Sequence, residues 1–271
     1  METTQTGPHE LQMRVHGDGS LPTLVYLPGL HGNWRLVGGF RKALRGRVRF
    51  AEVSYPTTLS WSLEEYAAAV EEALAARGIG EGWLLAESFS SVVAWPVVAR
   101  QRFRAKGLIL AGGFVRHPFS AEVRLAERFC RNASFALVTH LLLGYARVSR
   151  FRFRRSPETF EAINDFVSHL TEADYEAAKH RLHLVGQSDA GAIARQTQVP
   201  VYAVTGLFDP IVPWFWVRGW LRRNCPALRD YRIIGLADHN VLGTASVKAA
   251  EHVLRWMGQP VMEVAPGVER A

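Results

Sequence analysis

Residues 84–94 read LLAESFSSVVA, in which one short apolar run meets a serine and a second apolar run follows. The first run is typical of a strand buried on both faces, and we expect it to pass directly into a helix. Such a passage needs a very tight turn, here with Ser88 at its apex. Because the backbones approach closely there, small side chains are required two positions before and after the serine, where Ala86 and Ser90 stand. Taken alone, however, a serine after a strand is more often a helix N-cap.

Similar apolar runs lie on both sides of this segment. The runs that predict strands are Thr23–Leu27, Val48–Tyr55, Trp83–Ala86, Gly107–Ala111, Val199–Thr205 and Asp230–Ile234. Helical patterns lie between them, the clearest over Leu63–Arg77, which Ser62 and Glu65 open as a capping box. This alternation predicts an α/β fold with a mostly parallel, doubly wound sheet and helices on both faces.

The alternation stops between about His117 and Ala190, where helical periods replace strands. Helix start signals occur at Ser156-Pro157 and at Thr171-x-x-Asp174. We therefore predict one core domain formed by residues 1–116 and 191–271, interrupted by a helical insertion at residues 117–190. The last residues, Val261–Ala271, are predicted to be a frayed tail.

Composition limits the class of protein. The chain has 271 residues, 48% of them apolar, which is enough for a closed core. No apolar run reaches the roughly 18–20 residues of a membrane-spanning helix, and the polar start METTQTGPHE does not resemble a secretory signal. Only two cysteines occur, which argues against a disulfide framework. These features predict a soluble, cytoplasmic protein.

The net charge of +7 is unevenly distributed. Nine arginines and two glutamates lie between Arg116 and Arg155, whereas seven acidic residues and two basic ones lie between Ser156 and Ala190. We expect these halves to neutralise each other, and we predict no nucleic-acid partner and no membrane association, since no binding motif accompanies the charge. The alternative is that the Arg-rich segment 147–155 attracts an anionic acyl carrier or a lipid surface.

Three further segments place polar groups after predicted strands. LVYLPGLHG (residues 24–32) ends in a glycine-rich turn, GLFDPIVP (206–213) carries Asp209, and IIGLADHNVL (233–242) carries His239. A serine hydroxyl becomes a nucleophile when an imidazole takes its proton and a carboxylate orients that imidazole. Since parallel strands bring their carboxyl ends to one edge, Ser88, Asp209 and His239 form a candidate catalytic set.

With these motifs the chain resembles the α/β-hydrolase-fold serine hydrolases, over nearly everything except the insertion and the tail. The resemblance implies that Ser88 is the nucleophile, that Asp209 is the acid after the seventh strand of that fold, and that His239 is the base after the eighth. It also implies that the backbone N–H groups of Leu30 and Phe89 form the oxyanion hole. The insertion 117–190 stands where these hydrolases carry a helical cap.

The sequence departs from the G-x-S-x-G pattern of that family, because Ala86 and Ser90 replace both glycines. Asp238 is a poor rival to Asp209, since a residue rarely turns its carboxylate back to the imidazole that follows it. The segment Gly112-Gly113-Phe114, after another strand where this fold sometimes carries its acid, offers no carboxylate.

Two other residues are candidates for the substrate pocket. His31 adjoins the presumed oxyanion turn and Glu87 precedes the nucleophile, although each is explained equally or better by a structural role. We predict no metal and no organic cofactor, because neither a phosphate-binding glycine motif nor a full set of zinc ligands occurs.

These observations predict a serine hydrolase that cleaves carboxylic esters or thioesters of small to medium acyl groups through an acyl-enzyme. Three alternatives stay open. The first is carbon–carbon bond hydrolysis or perhydrolysis by the same three residues. The second is a non-catalytic ligand-binding protein that kept the fold, as the missing glycines suggest. The third is a basic protein associated with a membrane or a nucleic acid, as the Arg-rich segment suggests. The partner expected of a hydrolase is a small-molecule ester or thioester, and the oligomeric state is open.

Overall fold

The computed structural model describes residues 10–118 and 165–260, together with Leu125, Glu127, Arg128 and Gly144. Seven strands form one sheet within these residues. They are β1 (Gln12–His16), β2 (Thr23–Leu27), β3 (Arg49–Ser54), β4 (Glu81–Glu87), β5 (Arg104–Ala111), β6 (Val201–Gly206) and β7 (Leu228–Ile234). The six predicted strands are all present, with ends that differ by up to three residues.

The strands lie in the order β1-β3-β2-β4-β5-β6-β7. Only β1 is antiparallel to its neighbour, and every other pair is parallel. The register places the end of β4 between its neighbours, with Ala86 opposite Leu27 on one side and Leu110 on the other. The carboxyl ends of β2, β4, β6 and β7 therefore meet at one edge of the sheet.

Helices cover both faces of this sheet. They are α1 (Gly38–Leu44), α2 (Leu63–Ala75), α3 (Ser90–Arg100), α4 (Glu172–Gln187), α5 (Gly191–Gln196), α6 (Trp214–Asn224), α7 (Val241–Thr244) and α8 (Ser246–Trp256). Side chains of α2, α3, α5 and α6 belong to one hydrophobic core, and those of α1, α7 and α8 belong to the other. This doubly wound arrangement agrees with the alternation of the sequence.

The capping box predicted for α2 is present. Glu65 N donates to Ser62 Oγ (3.3 Å), and Ser62 N donates to Glu65 Oε2 (2.7 Å). The helix ends at Ala75, two residues before the predicted end, and Gly78 then adopts a φ of 65°. At such a φ a side chain would clash with the backbone, so glycine is favoured there.

The sequence did not predict β1. Its one buried side chain is Met13, so the strand lacks the apolar run that marks the others. Its place at the sheet edge is stabilised by polar contacts, since Arg14 Nε donates to Glu52 Oε2 (2.6 Å), a carboxylate without exposure on β3. Edge strands with few buried residues give a weak sequence signal.

Of the predicted helical insertion, only residues 117–118, 165–190 and four isolated positions are described. The start signal at Thr171 is confirmed, because Asp174 N donates to Thr171 Oγ1 (3.2 Å) and Thr171 N donates to Asp174 Oδ2 (3.0 Å) at the beginning of α4. The start predicted at Ser156, the Arg-rich segment 147–155 and the tail 261–271 lie outside the described residues. None of the described helices is long and apolar enough to cross a membrane.

Candidate active site

Ser88 occupies the turn between β4 and α3, as the sequence predicts. Its φ is 47°, in the left-handed region that non-glycine residues rarely adopt. Hydrogen bonds fix this conformation, because Ser88 N donates to Ala111 O (3.0 Å) and Ser91 Oγ donates to Ser88 O (2.6 Å). The surrounding structure thus holds a strained residue at the carboxyl edge of the sheet, where strained backbone often marks a functional group.

The structure brings His239 and Asp209 to the same point. His239 Nε2 lies 2.8 Å from Ser88 Oγ, and His239 Nδ1 lies 2.8 Å from Asp209 Oδ2. The second carboxylate oxygen of Asp209 accepts hydrogen bonds from the N–H groups of Ile211 and Val212, both at 2.9 Å. The Asp209 side chain has no exposure, so its orientation is fixed by these partners.

Asp238, the neighbouring acid, is engaged elsewhere. Its Oδ1 accepts hydrogen bonds from Asn240 N (3.0 Å) and from Thr244 Oγ1 (3.1 Å). These bonds shape the loop between β7 and α7. The described contact with His239 Nδ1 is made by Asp209.

Two opposing effects act on the His239 imidazole. Burial lowers its pKa, whereas the hydrogen bond and the negative charge of Asp209 raise it, with further contributions from the charges of Glu87 and Asp238. The attraction prevails, and the pKa of His239 lies above its ordinary value. The imidazole is therefore a stronger base than a free histidine.

Gly112 is a residue of this site that the sequence analysis did not single out for its backbone. Its φ is 56°, and a Cβ there would lie 3.0 Å from His239 O and 3.4 Å from His239 Nδ1. Only glycine combines this conformation with such a close approach at little cost. The segment Gly112-Gly113-Phe114, which offers no carboxylate, instead leaves the space that His239 occupies.

A turn at residues 29–32 lies beside Ser88. Gly32 N donates to Gly29 O (2.9 Å), and Gly32 O accepts from Tyr55 N (2.7 Å). A Cβ on Gly29 would lie 3.6 Å from Ser88 Cβ, so the turn and the serine are in close contact. We call residues 29–32 the oxyanion turn, because they include Leu30, whose N–H is a predicted donor of the oxyanion hole.

The two predicted oxyanion donors border Ser88. Phe89 follows Ser88 in the chain, and Leu30 lies in the oxyanion turn. Neither backbone N–H donates a hydrogen bond to any other residue that the structure describes. Unpaired N–H groups beside a serine hydroxyl are the kind of donor that a developing oxyanion requires.

Ser90, which replaces a glycine of the G-x-S-x-G pattern, has a specific role in the structure. Its hydroxyl donates to Pro28 O, just before the oxyanion turn, and lies 2.6 Å from Tyr55 Oη. Ser90 has no exposure and Tyr55 is buried, so these bonds are made away from water. The Ser90 hydroxyl therefore connects the tight turn at Ser88, which we call the elbow, to the loop that carries Leu30.

Restoring the glycine should weaken the protein. We expect Ser90→Gly to lower the free energy of unfolding by about 1–3 kcal/mol, because the Pro28 carbonyl and the Tyr55 hydroxyl lose a buried partner. Urea denaturation of the wild type, of Ser90→Gly, of Tyr55→Phe and of the double variant would measure this. The loss in the double variant should be less than additive. An unchanged or higher stability of Ser90→Gly would contradict the role assigned to its hydroxyl.

The two pocket candidates lie close together. His31 Nε2 is 3.9 Å from Glu87 Oε2 and has no hydrogen-bond partner among the described residues. Burial lowers the pKa of His31, although the Glu87 charge opposes this. Glu87 is buried and accepts a hydrogen bond from Tyr26 Oη, whose pKa is raised by burial and by the Glu87 charge. Glu87 thus lies beneath the site, bound within the sheet.

His31 also borders a cavity of about 490 Å³ at the carboxyl edge of the sheet. Among the described residues, its walls include Tyr55, Phe166 and Arg41, and the Phe166 ring lies edge-on to His31 at 5.8 Å. The volume falls in the range of about 300–1,000 Å³ that small-molecule sites occupy. Glu87 and Ser88 do not line this cavity.

No model of a known protein family and no curated protein matches the chain. Solved structures do match. An esterase from Thermogutta terrifontis with malate bound is 21% identical, over 92% of this chain and 93% of that one, with a TM-score of 0.71. The enol-lactonase from Burkholderia xenovorans LB400 is 16% identical, over 92% and 96%, with a TM-score of 0.75.

A third match is the α/β hydrolase MGS-M2 from a Medee basin deep-sea metagenome library. It is 12% identical, over 94% of this chain and 96% of that one, with a TM-score of 0.75. Together with the strand order and the elbow at Ser88, these similarities establish that the protein has the α/β-hydrolase fold.

Proposed function

We propose that the protein is a serine hydrolase that cleaves carboxylic esters or thioesters of small to medium acyl groups. The observation that carries the proposal is the chain of two 2.8 Å contacts from Ser88 Oγ through the His239 ring to Asp209. A nucleophile, a base and an orienting acid within hydrogen-bond reach are what acyl transfer requires. The reaction needs no metal or organic cofactor.

In the first half of the reaction, His239 Nε2 takes the proton of Ser88 while Ser88 Oγ bonds to the substrate carbonyl carbon. Asp209 holds the imidazole in the tautomer with its proton on Nδ1 and stabilises the imidazolium that forms. The carbonyl oxygen becomes an oxyanion, which accepts hydrogen bonds from Leu30 N and Phe89 N. When the carbonyl re-forms, the alcohol or thiol leaves with the proton of His239, and Ser88 remains acylated.

In the second half, His239 takes a proton from water, whose oxygen attacks the acyl carbon. The second oxyanion uses the same two N–H groups. Its collapse releases the carboxylic acid, and the proton returns from His239 to Ser88 Oγ. Water is the only co-reactant, and the enzyme is regenerated.

The similar structures support ester chemistry as the starting point for experiments. An esterase, an enol-lactonase and a further α/β hydrolase share this fold with the chain at 12–21% identity, and those activities are properties of those proteins.

The test is hydrolysis of p-nitrophenyl esters from acetate to decanoate, combined with labelling by a fluorophosphonate. We expect turnover with an optimum at a short or medium chain, and labelling that maps to Ser88. Labelling without turnover of esters would point to thioesters, carbon–carbon substrates or perhydrolysis, which product assays separate. Neither labelling nor turnover by folded protein would overturn the proposal in favour of a non-catalytic binding protein.

A further inference from the structure

Arg181 is a buried cation that has no carboxylate partner in the part of the chain that the structure describes. It lies on α4 and is 1% exposed, yet no ion pair involves it among the residues that the structure describes. Among the described residues, its Nε has no hydrogen-bond partner of good geometry. Burial raises the pKa of the nearby Tyr66 hydroxyl, and the Arg181 charge acts on that hydroxyl and opposes the rise. Removing a guanidinium from water without a compensating anion costs free energy, which its hydrogen bonds have to offset. A buried arginine of this kind is therefore a candidate for a functional role.

The bonds that Arg181 does make converge on two loops of the core. Nη1 donates to Leu30 O (2.7 Å), and Nη2 donates to Pro56 O (3.0 Å). These loops follow β2 and β3, which are neighbours in the sheet. A planar guanidinium with fixed donor directions can hold two carbonyls in one geometry, as a single ammonium cannot.

The surroundings of Arg181 are shaped to receive it. Its Cζ lies 5.8 Å from the centre of the Tyr55 ring. Gly32 has a φ of 76°, and a Cβ there would lie 2.5 Å from Nη1, so a larger residue would displace the guanidinium. Both contacts involve residues that also hold the oxyanion turn, because Gly32 O accepts from Tyr55 N.

The Leu30 N–H shares a peptide plane with the Gly29 carbonyl, which accepts from Gly32 N, whereas the Leu30 carbonyl lies in the next plane along the chain. The bond from Arg181 fixes that next plane, so that together with the Gly32 bond it limits the φ and ψ rotations of Leu30 that join the two planes. Among the described residues, the other hydrogen bonds of the oxyanion turn come from Gly32 N, Tyr55 N, Ser54 Oγ and Asn33 Nδ2, and none of them is made to the Leu30 carbonyl. Arg181 is thus the one described side chain that hydrogen-bonds to the residue carrying the expected donor.

We propose that Arg181 is a positioning residue that holds the oxyanion turn in the shape that directs the Leu30 N–H into the oxyanion hole. The proposal rests on the proposed function and extends it, because it makes α4 a part of the active site. Through this arginine, the placement of α4 against the core controls how well the transition state is stabilised.

The test compares Arg181→Met and Arg181→Lys with Arg77→Met. Arg77 also donates to two backbone carbonyls, those of Met13 (2.8 Å) and Ala73 (3.1 Å), but it follows α2 and neither carbonyl belongs to the oxyanion turn. We expect Arg181→Met to lower kcat about 100-fold, with KM changed less than about threefold, because one oxyanion donor is misdirected. Arg181→Lys should lose about tenfold, and Arg77→Met should keep the wild-type kcat.

A second readout separates positioning from a purely structural role. The affinity for a trifluoromethyl ketone, which forms the tetrahedral adduct, should fall in parallel with kcat/KM across the three variants. Arg181→Lys keeps the stem and the charge, so it provides the measurement if Arg181→Met fails to fold. Wild-type kcat in a folded Arg181 variant, or loss of kcat with unchanged affinity for the ketone, would overturn the proposal.

Turnover and labelling of the wild type separate the role of Arg181 from the proposed function. If the wild type hydrolyses esters and is labelled at Ser88 while the Arg181 variants match it, only the role of Arg181 is wrong. If the folded wild type shows neither turnover nor labelling, the proposed function fails and the role of Arg181 fails with it.

Discussion

Replacing Ser88 with alanine is expected to lower kcat for ester hydrolysis by about 10⁶-fold, because the acyl-enzyme can no longer form. The residual rate would come from binding and from the N–H groups of Leu30 and Phe89. KM should change little, since the hydroxyl contributes to bond formation more than to substrate binding. Initial rates with the best p-nitrophenyl ester, after removal of any contaminating esterase, would measure the effect.

The matched control for this variant is Ser62→Ala. Ser62 caps α2 through Glu65 N and lies outside the site. Its removal should lower the free energy of unfolding by about 1 kcal/mol and leave kcat unchanged. Ser88→Ala should show the reverse pattern, with kcat lost and stability retained. Retention of more than a small fraction of kcat by Ser88→Ala would mean that another group is the nucleophile.

Replacing Asp209 with asparagine is expected to lower kcat by about 10⁴-fold at neutral pH. The amide has nearly the size of the carboxylate, so the site should keep its shape. It cannot, however, stabilise the imidazolium of His239, and its NH₂ group favours the wrong tautomer. The Asp209 side chain has no exposure, so water cannot reach this position to stabilise the imidazolium in place of the lost carboxylate.

The pH profile gives this variant a second readout. In the wild type, kcat/KM should rise with pH through the pKa of His239, which lies above the ordinary histidine value, because only the neutral imidazole can take the proton of Ser88. Asp209→Asn removes the hydrogen bond and the charge that raise this pKa while burial still lowers it. The acid limb of the residual activity should therefore move to lower pH.

Asp238→Asn is the control for Asp209→Asn. Asp238 is buried and adjoins His239, but its Oδ1 accepts from Asn240 N and Thr244 Oγ1. We expect its replacement to change kcat by less than about tenfold and to destabilise the loop. A loss in Asp238→Asn as large as that in Asp209→Asn would mean that the acid is misassigned.

The sequence anticipated the parts of the molecule that follow local rules. The strands that end before Leu30, Ser88, Asp209 and His239 are visible as buried apolar runs, and the capping boxes at Ser62 and Thr171 are visible as spaced polar pairs. The small residues around Ser88 reflect a steric demand of the turn itself. Each of these features is set within about ten residues of chain, so periodicity and composition record it.

Other parts could not be predicted in this way. The antiparallel strand β1 has one buried residue and is held through Glu52, which is 38 positions from Arg14. The contribution of the Ser90 hydroxyl depends on its hydrogen bonds with Pro28 and Tyr55, which lie in the loops that follow β2 and β3. In the sequence, Ser90 is only a departure from the G-x-S-x-G pattern; in the fold it connects the elbow to the oxyanion turn.

By itself, the sequence determined the alternation of strands and helices, the tight turn at Ser88 and the order of Ser88, Asp209 and His239 along the chain. The tertiary structure alone decided that Arg181 meets Leu30, 151 positions away, and that Gly112 makes room for His239. The physical reason is that local steric and hydrophobic patterns act along the chain. The partners of buried polar groups, by contrast, are chosen by which segments pack together, and one sequence without the fold contains no distances between them.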